Sequence, residues 1–436
     1  MTSLSQKQFP HSNQRLHFCR ARPIFVSCNK HNNSFTNFRY FPHIKIAFRF
    51  FTLKNYYFCL SKKHSDEHDS IYYSRQQNTL PERDSRTYVR IDYLSPERIN
   101  AQTVQDADIL LIRTRTKCNR ELLDRSRCRY IATATIGYDH IDTLYCKEKG
   151  ISWQNAPGCN ASSVGQYVLS SLLAWSKSTR KNLQDCTIGI VGVGHVGKIV
   201  ARYGKLLGMQ VLLNDPPRQE AESETDFVSL EKICREADIV TFHTPLTHEG
   251  KYPTYHLADT DFFNALEKTP LIINTARGEI INTEALKRAL KQKKISSVIL
   301  DCWENEPNID KELLEQAFIA TPHIAGYSAD GKSEATRMIV QSVGKWIKTA
   351  IPTQNIVPPA PVREIIDLSG ATNPLQQAVW ESYNPFDDDL RLRKSPETFE
   401  MQRGLYPLRR EFPAYYIKGI PPIGSPILEN LGFHLV

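Results

Sequence analysis

Three residues that follow apolar runs have side chains suited to oxidising an alcohol beside a carboxylate. Arg277 lies in Asn274-Thr-Ala-Arg277-Gly278, Glu306 in Asp301-Cys-Trp-Glu304-Asn-Glu306-Pro307, and His323 in Thr321-Pro-His323-Ile-Ala-Gly326-Tyr327. Taking hydride from a 2-hydroxy acid needs a base for the hydroxyl proton and a cation for the carboxylate. It also needs an acid partner that orients the base and raises its pKa. His323, Arg277 and Glu306 meet those needs. Phe242-His243-Thr244-Pro245-Leu246 marks a fourth strand end of the same kind. Taken singly each has a plainer reading: a surface arginine, a satisfied histidine, a loop. Together they point to hydride transfer.

The hydride needs an acceptor, and the chain has a site for one. Thr187-Ile-Gly-Ile-Val-Gly192-Val-Gly194-His-Val-Gly197-Lys198 runs an apolar strand into a glycine triplet and then a helical pattern. Gly192 permits the tight turn, Gly194 lets the backbone approach a pyrophosphate, and Gly197 lets helix and strand pack closely. The helix N-terminus offers free N–H groups and positive dipole charge to that pyrophosphate. A second apolar run, Met209 to Asn214, ends on Asp215, placed to accept hydrogen bonds from the adenosine ribose. A carboxylate there repels a 2′-phosphate, which favours NAD over NADP, and nearby Arg218 offsets this only slightly.

The elements around these residues alternate. Ala107–Arg113, Tyr130–Thr135, Ala237–His243, Pro270–Thr275 and Ser297–Asp301 read as buried strands. Asn119–Arg125 reads as a short helix with Asn119 as N-cap. Thr283–Lys291 reads as a helix with Thr283 at its cap, and Val164–Trp175 as a long apolar helix that crosses between domains. Such alternation implies doubly wound parallel sheets with ligands beyond the carboxyl ends of the strands. At 436 residues the chain holds two or three domains. Near Ile351-Pro-Thr and Val357-Pro-Pro-Ala-Pro361 it becomes a proline-rich linker. The tail from Val362 to Val436 shows no catalytic motif.

The net charge of +8 is uneven, because residues 1–65 carry eleven Lys or Arg and no acid, leaving −3 for the remainder. A mildly acidic body argues against a nucleic-acid groove. No long apolar run is free enough of charge to read as a membrane span. The ten cysteines show no paired CxxC spacing, so free thiols and no structural metal are expected, in a cytoplasmic setting. The basic leader, 1–69, fits a transit peptide or a nucleic-acid-binding tail. Its plainest reading is upstream sequence ahead of a misassigned start.

With these motifs in place, the chain resembles the D-isomer-specific 2-hydroxyacid dehydrogenases. The glycine motif, Asn274-x-x-Arg277-Gly278, Asp301-x-x-x-x-Glu306-Pro307 and Thr321-Pro-His323 carry the likeness. Longer segments are similar to a branch acting on a phosphorylated four-carbon acid. They are Arg113-Thr-Arg-Thr-Lys117, Thr133-Ala-Thr-Ile-Gly-Tyr-Asp139-His140-Ile-Asp142, Ala156-Pro-Gly-Cys-Asn160, Asp215-Pro-Pro-Arg218 and His323-Ile-Ala-Gly-Tyr327. The resemblance implies an α/β fold of two doubly wound parallel-sheet domains flanking a cleft, plus a small C-terminal α+β dimerisation domain. The expected division is a substrate-binding domain at 70–165 (completed by about 325–350), an NAD-binding Rossmann domain at 166–324, and a dimerisation domain at 351–436.

It also implies roles. Arg277, Glu306 and His323 would be catalytic. Asp215, Thr244, Asp301 and Gly326 would contact NAD beside the three glycines, and Thr114, Thr135 and Tyr327 would contact substrate. Arg113, Arg115 and Lys117 offer cations for a terminal phosphate, although a solvated basic loop is the plainer reading. The expected partners are a small phosphorylated 2-hydroxy acid and a second copy of the chain. Phosphoglycerate oxidation is the nearest alternative, separated by Ala156–Asn160 and Ile324–Tyr327. An NAD-sensing corepressor-like protein is the alternative from another class. One departure stands out: family members open on a short strand, which Ser70 to Thr87 does not supply convincingly, so unpaired ladder groups are expected there.

Overall fold

A continuous apolar run builds a strand when both of its faces are to be covered, and Ala107–Ile112 does so in the computed structural model. The structure describes residues 70–74, 90–94, 96–222, 226–420 and 425–436; the basic leader of 1–69 lies outside them. The first sheet contains Ser70–Ser74 (β1), Arg90–Leu94 (β2), Ala107–Ile112 (β3), Tyr130–Thr133 (β4) and Ser152–Gln154 (β5), in the order β2-β1-β3-β4-β5. The strand expected to be missing is therefore present. Ile71, Tyr72 and Tyr73 are strand-favouring residue types, and β1 fills the gap between β2 and β3. It runs antiparallel to both, whereas β3, β4 and β5 are mutually parallel. One face of this sheet is covered by the helix Ala329–Trp346, whose Ala335, Ile339 and Val343 pack with Ile109, Leu111 and Tyr130.

The second sheet contains Thr187–Val191 (β6), Gln210–Asn214 (β7), Ile239–Phe242 (β8), Leu271–Asn274 (β9), Ser297–Leu300 (β10) and Ile319–Ala320 (β11). All pairs are parallel, in the order β11-β10-β9-β8-β6-β7. From β7 the chain crosses to β8 on the far side of β6. The order thus reverses between β6 and β8, the place where ligands enter open α/β sheets. Helices cover both faces, and the side chains of the inner strands are buried. Helix Thr283–Lys291 is capped by Asn282, whose side chain accepts from Ala285 N, and not by Thr283 as expected. Both residue types cap well; the first helical turn begins one residue earlier than the Thr-Glu pair suggests. Asn119 caps Arg120–Leu123 as expected.

The tail adds Ile365–Asp367 (β12), Tyr416–Lys418 (β13) and His434–Leu435 (β14) as a small parallel sheet. It has its own sheet but not its own core. Ile366, Val379, Phe412, Ile417 and Leu428 are buried in one cluster with Val168, Leu172, Val200 and Tyr203. The helix Ala161–Thr179 lies between the tail and the second sheet, buried almost without break from Ala161 to Trp175. Ser170 Oγ donates to Tyr383 O at 2.8 Å, and Trp380 Nε1 donates to Ser170 O at 3.2 Å. No described helix is long and apolar enough to cross a membrane.

Candidate active site

The glycine loop closes the switch point. Gly192 has φ +88°, which an L side chain rarely adopts, and an added Cβ would stand 2.8 Å from His243 C and Thr244 N. The turn after β6 therefore rests directly on the turn after β8. A Cβ on Gly197 would come within 2.1 Å of Gly192 O, so only hydrogen lets the helix His195–Leu206 sit this close. Gly194 is the N-cap of that helix and faces open space. These are the three properties a pyrophosphate cradle needs. Asp215 Oδ2 accepts from Val193 N at 2.9 Å and Oδ1 from Arg218 N at 3.2 Å, fixing the loop from its ribose end. Arg218 is tied back to Val193 O and to Glu222, consistent with its small weight against Asp215.

Asn160 Oδ1, Thr244 Oγ1 and Arg403 Nε are buried without a hydrogen-bond partner among the described residues. Thr244 lies against Gly192, and the Asn160 amide lies where a Cβ on Gly326 would be, 2.1 Å from its Nδ2. Buried polar atoms without partners are rare, and the Thr244 hydroxyl beside the open glycine loop fits a bound dinucleotide. His243 is enclosed, hydrogen-bonded to Thr241 and Thr275, and burial lowers its pKa to about 3. It is a neutral structural residue.

The catalytic candidates come from three loops. Glu306 Oε2 lies 2.8 Å from His323 Nδ1, and Glu306 Oε1 accepts from Trp303 N at 2.9 Å. Burial pushes the Glu306 carboxyl up, but the His323 charge and hydrogen bond, the Trp303 N–H and Arg403 outweigh it and hold it below its usual value. An ionised carboxylate only accepts. His323 Nδ1 must therefore carry the proton, which leaves the lone pair on Nε2 for a base. His323 sits at φ +54°, a strained backbone for a side-chain-bearing residue. Asp301 holds that conformation from behind. It is 1% exposed, and it accepts from Thr321 Oγ1, Ile324 N and Ala325 N at 2.7–2.9 Å. Asp301 is thus committed to the histidine loop and does not offer an open carboxylate.

Arg277 follows β9, its backbone carbonyl bound by Asn274 Nδ2 at 2.8 Å. Its guanidinium reaches the first domain, where Nη2 lies 3.5 Å from Asp139 Oδ2 and a Cβ on Gly137 would stand 2.2 Å from it. Thr135 is in the same loop and donates to Gly137 O at 2.8 Å. Thr114, Arg115 and Lys117 are exposed beyond β3, and Arg113 is half-buried. Tyr327 follows His323, its ring 5.7 Å from that of Tyr406.

Cys302, Glu306 and His323 bring ligating atoms within 4.8 Å of one another, a grouping the sequence did not suggest. Burial pushes the Cys302 thiol well above its usual range. Its Sγ lies 3.4 Å from Ala276 O. Other residues missed from sequence come from the tail. Arg409 is 5% exposed and donates to Gln166 Oε1, Ser163 O, Ile324 O and Ala325 O at 2.7–3.4 Å. The two peptide units after His323 are therefore gripped through their N–H groups by Asp301 and through their carbonyls by Arg409. No local motif announces either tail arginine, because their partners lie far away in sequence.

Comparison with known proteins shows the family of this chain. Residues 166–325 match the D-isomer specific 2-hydroxyacid dehydrogenase NAD binding domain, and residues 357–432 match a domain of unknown function, DUF3410. An erythronate-4-phosphate dehydrogenase of Bacteroides thetaiotaomicron is 53% identical over 328 residues, 75% of this chain and 93% of that protein. One from Porphyromonas gingivalis is 42% identical over 350 residues, 80% of this chain and 94% of that protein. Among solved structures, an acyclic imino acid reductase in complex with NADPH and D-Arg aligns with TM-score 0.50 at 22% identity. That alignment covers 59% of this chain and 88% of the other, a likeness of fold. With the cofactor loop, the histidine–glutamate pair and similarity spanning nearly the whole of these relatives, the chain belongs to the erythronate-4-phosphate dehydrogenase family.

Proposed function

We propose that the chain oxidises 4-phospho-D-erythronate at C2 to 3-hydroxy-2-oxo-4-phosphobutanoate, a step in pyridoxal 5′-phosphate synthesis. The observation that carries this reading is the Glu306–His323 pair at 2.8 Å, in a chain whose relatives carry the erythronate-4-phosphate dehydrogenase name. NAD, when bound, accepts the hydride from C2. Gly192, Gly194, Gly197, Asp215, Thr244 and Gly326 would hold it, with Asp301 acting through the loop it fixes. His323 Nε2 takes the C2 hydroxyl proton as the carbonyl forms. Glu306 stabilises the resulting imidazolium and keeps the ring oriented. Arg277 holds the substrate carboxylate and the developing carbonyl oxygen, its planar fork suited to both. Thr114, Thr135 and Tyr327 contact the substrate hydroxyls, and Arg113, Arg115 or Lys117 the phosphate.

The first sheet, with the helix Ala329–Trp346, is assigned to substrate and the second to NAD. The tail is assigned to a homodimer: Ile365 and Tyr416 are paired neighbours 49% and 41% exposed, on the outward face of the small sheet beside the Asp367–Lys418 ion pair. Tyr416→Glu should shift the protein from dimer to monomer in sedimentation, and an unchanged dimer would remove the tail sheet from that role. The cytoplasm is the assigned compartment, since the described cysteines are free thiols. Steady-state NADH production tests the activity: 4-phospho-D-erythronate should exceed 3-phospho-D-glycerate in kcat/KM, and the reverse order would replace this substrate.

A further inference from the structure

The helix Phe399–Gly404 lies within the segment matching the domain of unknown function, yet it ends beside Tyr327 and Arg115. The Arg403 side chain is only 16% exposed. Its Nη1 donates to Glu400 Oε1 at 2.6 Å, while its Nε is buried with no acceptor among the described residues. A buried cationic N–H lacking an acceptor is costly, and an arriving anion would relieve that cost. The neighbours locate that anion. The guanidinium carbon is 5.9 Å from the centre of the Tyr327 ring. Its charge acts on Glu306 and, together with that of Arg277, on Cys302. On the next residue, a Cβ added to Gly404 would stand 2.9 Å from Arg115 Nη2. Arg115 therefore reaches the end of the helix that carries Arg403 from a distant part of the sequence, whereas Arg277 is turned to Gly137 and Asp139.

A substrate whose carboxylate is held by Arg277 presents its second anionic group to other cations. We propose that Arg403 is a specificity-determining residue that binds the terminal phosphate of the substrate together with Arg115. The tail then reads the phosphate while the two sheets carry the oxidation. This rests on the reading that the substrate is a phosphorylated acid. An arginine suits the task because its fork matches two phosphate oxygens at once. The competing role is a counter-charge that steadies Glu306 without touching substrate.

The test uses full-length Arg403→Met and Arg403→Lys. Turnover is measured with 4-phospho-D-erythronate and with D-erythronate, and inorganic phosphate binding to the protein with NAD is measured by calorimetry. Arg403→Met should raise KM for the phosphorylated acid about 10- to 100-fold, the range for one charge-assisted contact, with kcat changed far less. Phosphate binding should weaken by a similar factor, the loss on D-erythronate should be much smaller, and Arg403→Lys should recover part of the affinity. Equal losses on both acids with a displaced acidic limb of the pH profile would overturn the proposal in favour of the counter-charge role. Unchanged phosphate binding in a folded Arg403→Met would overturn it as well. Should wild type fail to oxidise 4-phospho-D-erythronate, the substrate reading falls alone, and weaker phosphate binding in Arg403→Met still supports the arginine.

Discussion

Replacing Arg409 by Met tests whether the tail is part of the catalytic apparatus. The guanidinium is almost wholly buried, donates four hydrogen bonds and lies 3.6 Å from the centre of the Tyr383 ring. Each buried neutral acceptor left without a donor costs about 1–3 kcal/mol. Two of the carbonyls keep another donor, Ala325 O from Ser163 Oγ and Ile324 O from Tyr327 N. Met also refills part of the volume. With two acceptors affected, the expected loss is about 3 kcal/mol, read as a fall in urea midpoint. Because the same carbonyls follow His323, kcat should drop about 10- to 100-fold, the scale of a small misplacement of a reacting group, while NAD affinity changes little. The Arg409→Met protein should thus be both less stable and slower. A loss below about 1 kcal/mol with unaltered kcat would show that Asp301 alone fixes the loop.

Three further outcomes follow from the site. Asp215→Ala should narrow the preference for NAD over NADP by about tenfold, the scale of one lost hydrogen-bonding group. Equal affinities in the unmodified protein, by calorimetry, would remove Asp215 from that role. Glu306→Gln should move the acidic limb of the kcat/KM profile to lower pH, because the protonated imidazole loses its counter-charge; an unmoved limb breaks the pairing. Glu411, half-buried and bonded by Ser328 Oγ at 2.7 Å, has its carboxyl pushed by desolvation from 4.5 to about 7. The folded state therefore holds this proton more tightly than the unfolded chain. That contribution is complete below 4.5 and is lost as pH rises to about 7. Glu411→Gln should accordingly stabilise the protein by up to about 3 kcal/mol near about pH 8 and by almost nothing near about pH 4. Melting curves at the two pH values decide it, and an equal gain at both would show that Glu411 is not buried in charge.

What could be read from sequence was what is encoded locally. The three glycines have separate physical duties, and each falls where its spacing placed it: one at φ +88°, one facing open space, one under a carbonyl. Arg277, Glu306 and His323 were legible because they follow apolar strands of a parallel sheet, whose carboxyl ends converge. The first strand was not, because Ser-Ile-Tyr-Tyr-Ser is short and its partners β2 and β3 supply the ladder. The Asn282 cap was displaced by one residue for want of any signal separating adjacent capping types. Arg403 and Arg409 were invisible for a deeper reason. Their partners lie far away in sequence, and a tail that shares a core with the second sheet brings them to the site. Hydrophobic periodicity reports that a helix buries one face, not which loop its arginine will reach.

The most direct test is NADH formation from 4-phospho-D-erythronate by the unmodified chain and by His323→Ala, with NAD affinity measured on both. The unmodified protein should turn over, and the variant should bind NAD normally yet fall about 100-fold or more in kcat, the scale of general acid–base catalysis. Near-normal turnover in His323→Ala, or none in the unmodified protein with NAD bound, would contradict the assignment.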